Sequence, residues 1–467
     1  MSGDVADRLE GAGQGHLVRA LERLDGARRE RLRSEIEALD IDLVSRLVDA
    51  HLRHRVAVES LDGLGPPDVV GPPRGPADEE RDRAARAAGE EHLRAGRVAV
   101  VLLAGGQGTR LGFDGPKGDF PVGPVTGRTL FQVHAAKVAA IRARYGCALP
   151  FCVMTSPATD VDTRATFARE GHFGLPPASV RFFVQGTLPA VDRDTGAILL
   201  DAPDRLSLSP DGHGGLLRAL RREGVLAELT KSGITTLITF QVDNPLLRLA
   251  DPLYVGHHVT ARSDMSSLVV RKLGPAERMG VLARSGEVTR LVEYSDLPER
   301  LAEQRDTRGE LVLWAGNIAV HCLEVAFVDR VTSGGRELPF HHAQKRVPYV
   351  DGSGRRVEPD EPNAVKFEAF IFDALPMAER TMTLEVAREE QFSPIKNATG
   401  EDSPDTCRRD LTRLYAGWLE SVGTSVPRDA AGEPAFPIEI DPRRALDAED
   451  LRGAPDRVDG PLVLGPT

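Results

Sequence analysis

The stretch VAVVLLAGGQGTRLGFDGPKGDFPVG, residues 98–123, starts as an unbroken apolar run and turns into a glycine-rich segment carrying Arg110 and Lys117. The valines and leucines, closed by Gly105 and Gly106, predict a buried strand over Val98–Leu103. Backbone N–H groups at such a strand-to-loop turn point outward without partners, and glycine lets a phosphate approach them closely. The turn Leu103, Ala104, Gly105, Gly106 is therefore a candidate anion cradle, with Arg110 and Lys117 as its cations. Two common phosphate signatures do not fit. No Gly-Lys-Ser/Thr triplet follows either glycine. The dinucleotide fingerprint would run Gly106, Gly108 and a third glycine where the chain has Leu111. Taken alone, the stretch is also compatible with a structural turn bearing two solvated cations.

Outward from this strand, apolar runs alternate with amphipathic segments. Strands are predicted at Pro150–Thr155, Val180–Val184, Thr235–Val242, Met265–Arg271 and Leu311–Trp314. Helices are predicted at Thr129–Tyr145, Asp160–Glu170, Leu216–Lys231 and Cys322–Val331. This rhythm is that of an α/β fold with a mixed, mostly parallel central sheet. Upstream, Leu17, Leu21 and Leu24, then Leu32, Ile36 and Leu39, fall at helical spacing, so residues 16–60 read as helices. Residues 65–80 are rich in Pro and Gly and read as a loop, and 79–95 as a charged helix. Downstream, 381–387 is one more candidate strand and Asp405–Val422 a helix, followed by Pro-rich segments. The expected organisation is an N-terminal helical region (1–95), a catalytic α/β domain (96–380) and a small C-terminal lobe (381–467).

With 467 residues, 41% of them hydrophobic, the chain can bury a large core. A formal net charge of -11 argues against nonspecific nucleic-acid binding. Cys147, Cys152, Cys322 and Cys407 have neither zinc nor CxxC spacing and read as reduced thiols. The first residues lack a basic region followed by an apolar run, and no stretch reaches the length of a membrane span. A cytoplasmic protein without membrane contact is the expectation.

The pattern L-x-G-G-x-G-T-R-L-G-x4-P-K over residues 103–117 resembles the signature loop of nucleotidyltransferases that make nucleotide sugars. Further blocks follow in the order of the UDP-N-acetylhexosamine pyrophosphorylase family: FVQGTLPAVD (183–192), SPDGHGGLLRAL (209–220), TTLITFQVDNPLLRLADP (235–252), MGVLARSGEVTRLVEYSDLP (279–298), LWAGNIAVHCLEVAFV (313–328), EPNAVKFEAFIFDAL (361–375) and FSPIKNATG (392–400). The resemblance covers about residues 98–418 and implies a Rossmann-like nucleotidyltransferase fold.

It also implies roles. Arg110, Lys117 and Lys396 would contact the phosphates, with the backbone of Leu103, Ala104, Gly105 and Gly106 around them. Gln185 would read the uracil, whose imide edge suits an amide, beside Gly212. Asp243, at the end of a strand, would hold Mg²⁺. His213, Gly280, Glu293, Asn317, Lys366, Phe370 and Phe372 would line the sugar pocket. His213 stands where the family usually has Asn, a departure that bears on sugar choice. Each of these also has a plain structural reading: a capping amide for Gln185, a turn residue for Asp243 or Asn317, core packing for the two Phe. The implied reaction joins UTP and a hexosamine 1-phosphate into a UDP-sugar and pyrophosphate. The same chemistry on glucose or galactose 1-phosphate is one rival, a noncatalytic UDP-sugar binder another.

Overall fold

The apolar run 98–103 forms a strand, Val98–Leu103 (β1), whose six residues are all buried. An unbroken run of this kind needs apolar cover on both faces, which a central parallel strand receives. The computed structural model describes residues 3–53, 61 and 63–466. In it, eight further strands join β1: Phe151–Thr155 (β2), Val180–Val184 (β3), Thr236–Gln241 (β4), Met265–Arg271 (β5), Val281–Ser285 (β6), Val288–Val292 (β7), Ala315–Glu324 (β8) and Thr381–Glu385 (β9). Their order is β7-β6-β8-β4-β1-β2-β3, with β5 pairing β8 and β9. Only β7 and β8 oppose the direction of the others, so the sheet is mixed and mostly parallel.

Contacts divide the chain into two units. The first comprises Met1–Asp62, Gln185–Arg218 and Glu337–Asp373. Its helices Gly3–Gly11, Gly15–Glu22, Gly26–Glu37 and Ile41–Val48 bury Leu17, Leu21, Leu32 and Ile36, as the leucine spacing predicts. The expected helical reading of 54–60 lies outside the described residues. A small sheet in the same unit pairs Phe340–Lys345 with Ala364–Ala369, and the latter with Val191–Asp192.

The second unit comprises Gly63–Val184, Ala219–Arg336 and Ala374–Thr467, and holds the nine-stranded sheet. Helix Leu130–Tyr145 is opened by a capping box between Thr129 and Gln132 and is buried along most of its length. Helix Pro76–Arg94 begins inside the expected loop 65–80, because Pro76 at its first turn suits a helix start. Near the C-terminus, Ser403 caps helix Pro404–Ser421, and Ile438–Ile440 pairs in parallel with Leu462–Leu464.

Two expectations need correction. No strand occupies Leu311–Trp314, and no helix starts at Cys322; β8 runs through Ala315–Glu324 and the helix is Val325–Thr332. Gly316 and Asn317 look like a turn in sequence. Here they sit inside a strand with a local irregularity, where Ala319 takes φ 56° and the pairing to β5 shifts between Ser267 and Val269. The helix expected over Leu216–Lys231 is two helices, Gly215–Arg222 and Val225–Lys231, broken at Gly224 with φ 75°.

Candidate active site

The second unit holds the glycine-rich loop expected to cradle phosphate. In the parallel sheet Leu103 pairs with Gln241, which sets the loops leaving β1 and β4 side by side. Ala104 N–H donates to the Met154 carbonyl at 2.8 Å, and Ser156 Oγ donates to the Gly105 carbonyl at 2.8 Å. The loop then folds back on itself. Gly108 N–H reaches the Gly115 carbonyl at 2.9 Å and Lys117 N–H reaches the Gly106 carbonyl at 3.0 Å. Arg110 is left exposed on the short helical turn Thr109–Leu111. Lys117 is brought back to the foot of the loop, where its Nζ lies 2.8 Å from Asp243 Oδ2. Both side chains are mostly buried.

Gly106 is informative. Its φ is not positive, and a Cβ built on it would meet nothing within 4 Å. Neither backbone strain nor packing demands glycine there. Gly118 differs, since a Cβ there would strike the Phe131 ring.

Lys396 belongs to the segment that supports Asp243: Ile395 N–H donates to the Asp243 carbonyl at 3.0 Å. Its ammonium is exposed and lies 3.5 Å from Asp402 Oδ2.

Gly280, Glu293 and Asn317 come together. Val281 pairs with Val292 in the β6–β7 hairpin, which sets Gly280 opposite Glu293. A Cβ on Gly280 would lie 3.2 Å from Glu293 Oε1. Asn317 N–H donates to the Gly280 carbonyl at 2.9 Å. Asn317 Oδ1 accepts from Ala319 N–H at 3.1 Å. Because β8 runs antiparallel to β4, its Asn317 portion lies toward the same end of the sheet as Asp243.

The first unit holds the remaining candidates. Gln185 Nε2 donates to the Gly212 carbonyl at 2.9 Å. Gly212 has φ 85°, and a Cβ there would strike the Ala369 carbonyl, so this turn requires glycine for its own sake. Ile371 N–H donates to His213 Nδ1 at 3.1 Å. A ring nitrogen that accepts carries no proton, so His213 is the neutral Nε2–H tautomer. Burial, and secondarily His341, lowers its pKa to about 4, in agreement. His213 stacks on Phe370 with centroids 5.3 Å apart and also meets Phe372 at 5.5 Å. The two Phe touch at 5.1 Å, at the start of the short helical segment Ile371–Met377. Lys366 lies on strand Ala364–Ala369 opposite Ala343.

The family described as UTP--glucose-1-phosphate uridylyltransferase matches residues 76–401, well over half of the chain. The chain belongs to this uridylyltransferase family. It is 38% identical over 444 residues to the UDP-N-acetylhexosamine pyrophosphorylase-like protein 1 of Xenopus tropicalis, covering 91% of this chain and 86% of that protein. It is 37% identical over 347 residues to the UDP-N-acetylglucosamine pyrophosphorylase of Saccharomyces cerevisiae, covering 72% and 73%. Among solved structures it is similar to the uridine diphosphate N-acetylglucosamine pyrophosphorylase of Trypanosoma brucei in complex with an inhibitor. That likeness has TM-score 0.80 and 26% identity over 98% of this chain and 97% of the other.

The match to the uridylyltransferase family spans every site candidate from Leu103 to Lys396. Supporting residues of this family member went unread in the sequence. Ser156 anchors Gly105, Asn244 bonds Gln391 and Ser393, and His341 Nε2 meets Asp373 Oδ2 at 2.8 Å. Their roles depend on partners distant in sequence, which spacing alone does not assign.

Proposed function

We propose that this uridylyltransferase joins UTP and N-acetylglucosamine 1-phosphate into UDP-N-acetylglucosamine and pyrophosphate. The carrying observation is Lys117 Nζ beside Asp243 Oδ2, at the foot of a loop whose Gly106 faces open space. The sugar phosphate oxygen attacks the α-phosphorus of UTP in line as the bond to pyrophosphate breaks. Transfer of this type needs positioning and positive charge more than a covalent nucleophile. Backbone N–H groups of the 104–106 turn and the cations of Arg110, Lys117 and Lys396 hold the phosphates and take up charge on the leaving pyrophosphate. Gln185 pairs with the uracil.

Among the described residues no group of three or more His, Cys, Asp or Glu is arranged to hold a metal ion. A lone carboxylate at the end of β4 nonetheless suits Mg²⁺, which commonly takes one or two protein carboxylates and completes its shell with phosphates and water. Asp243 would hold that ion, which supplies charge neutralisation on the phosphates.

The NH₂ of Asn317, with Glu293 and the bare backbone of Gly280, favours a hexose bearing an acetamido group. His213 favours a second reading, the same chemistry on glucose or galactose 1-phosphate. Among the described residues no helix is long and apolar enough to cross a membrane, which fits a cytoplasmic enzyme.

A panel of sugar 1-phosphates with UTP, followed by pyrophosphate release, tests both readings. The highest kcat/KM is expected with N-acetylglucosamine 1-phosphate. His213→Asn should widen its lead over glucose 1-phosphate and leave the shape of the pH 6–9 profile unchanged, because His213 titrates far below that range. UDP-sugar binding without pyrophosphate release from any substrate would overturn the proposal.

A further inference from the structure

Helix Leu130–Tyr145 offers two polar side chains, one turn apart, to the backbone around Asp243. His134 Nε2 donates to the Val242 carbonyl at 2.9 Å. Lys137 Nζ donates to the carbonyls of Pro245 and Leu247, the latter at 2.6 Å. These bonds fall on both sides of Asp243. A second set comes from residues 391–395: Asn244 Nδ2 donates to the Gln391 carbonyl at 2.8 Å, and Ser393 N–H donates to Asn244 Oδ1 at 3.1 Å.

Lys137 is the costly member of this arrangement. It is 8% exposed, and among the described residues no carboxylate pairs with it. Burying an unpaired ammonium is expensive, and burial accordingly pushes Lys137 down to about 7. A leucine or methionine would fill the same space without that cost. Packing therefore does not account for the residue. What the ammonium does that no apolar side chain can do is fix two carbonyls of one turn at once.

We propose that Lys137 is a positioning residue for Asp243: by holding the Pro245 and Leu247 carbonyls it aims the Asp243 carboxylate at Lys117 and at a divalent cation. This rests on the reading of Asp243 as the metal-bearing carboxylate. The helix that carries Lys137 also meets the segment that follows the glycine-rich loop, where Leu130 N–H donates to the Phe120 carbonyl at 3.1 Å.

The test uses the full chain with Lys137→Met, which keeps volume and removes the donors. Mn²⁺ affinity in the presence of UTP is read by water-proton relaxation, alongside kcat and Tm. Outer partners of metal ligands typically contribute about 10–100-fold. Lys137→Met is expected to weaken Mn²⁺ binding and lower kcat by factors in that range, with KM for the sugar phosphate within about twofold. Mn²⁺ affinity and kcat within twofold of wild type, with only Tm lowered, would overturn the proposal. Should Lys137→Met fail to fold, Lys137→Gln is read by the same criteria. Asp243→Asn serves as control: unchanged Mn²⁺ affinity there would overturn the reading of Asp243 and this proposal with it. A defective Asp243→Asn beside an unaffected Lys137→Met would overturn the proposal alone.

Discussion

Lys117 reaches Asp243 from 126 positions away in sequence, and the pair forms because the loop 104–117 doubles back on itself. In phosphoryl transfer, removing one preorganised charge contact costs about 2.7–4 kcal/mol of transition-state stabilisation, by analogy with oxyanion-hole donors. Lys117→Ala and Arg110→Ala are each expected to lower kcat by about 10²–10³, with circular dichroism and Tm near wild type. Near-normal turnover in both variants would remove the cations from the mechanism. Gly106 gives a sharper separation of ligand from scaffold. Gly106→Ala should leave Tm within about 1 °C, because its Cβ meets no protein atom. The same change should raise KM for UTP by an order of magnitude or more. A large loss of stability with normal UTP binding would make the loop a structural turn. At this scale the sequence was legible to the extent that Lys117 and Asp243 lie in ordered motifs whose side chains the fold brings together. Lys137 and His134 were not, since a helix repeat gives no sign that two of its polar positions will meet carbonyls more than 100 residues on.

Among elements, β1, β3 and β5 were readable to within a residue or two, β1 most directly because all six of its residues are apolar and buried. Burial on both faces selects Val, Ile and Leu at every position, and that signal is local. β8 was misplaced because its Gly316–Asn317 step carries turn chemistry inside a paired strand. Helix pairing was invisible for a related reason: contact is a property of two segments together. Helix Pro76–Arg94 crosses helix Pro252–Thr260 so closely that a Cβ on Gly256 would lie 1.6 Å from the Ala85 carbonyl, and one on Gly89 would lie 1.9 Å from the Pro252 carbonyl. Backbone atoms cannot yield as a side-chain tip can. Overpacking of this kind typically costs about 1–3 kcal/mol, occasionally more. Gly256→Ala is therefore expected to lower unfolding stability by at least 2 kcal/mol, on the order of the upper part of that range. Urea denaturation checks it, and a variant as stable as wild type would mean the crossing is looser than described. The active-site loops leave from other elements, so residual folded Gly256→Ala should keep its KM values.

On the scale of the whole molecule, both units are assembled from segments far apart in sequence, so their integrity depends on ties that span hundreds of residues. One tie joins the second unit's last sheet to the segment before helix Leu130–Tyr145. Glu439 accepts from the N–H groups of Val125 and Thr126, at 2.9 and 2.8 Å. Asp441, only 1% exposed, pairs with Arg128 and Arg443. Burial alone would raise the Asp441 pKa; the two guanidiniums and the Arg443 N–H outweigh it and bring the value to about 2, below the ordinary 3.8. The depressed value fixes the sign. A carboxyl whose folded pKa lies below its unfolded pKa stabilises the fold above the unfolded value, and that stabilisation is lost as pH falls through the folded value. The difference corresponds to about 2 kcal/mol, present at pH 5 and lost between about pH 4 and pH 2. Asp441→Asn lacks the titrating group, so it should be the less stable protein at pH 5 and should converge on wild type as the solution is acidified. Urea midpoints of the two proteins from pH 5 to pH 2.5 measure that convergence. A gap of constant size across the series would show that Asp441 owes its place to hydrogen-bond geometry alone, with no contribution from its charge.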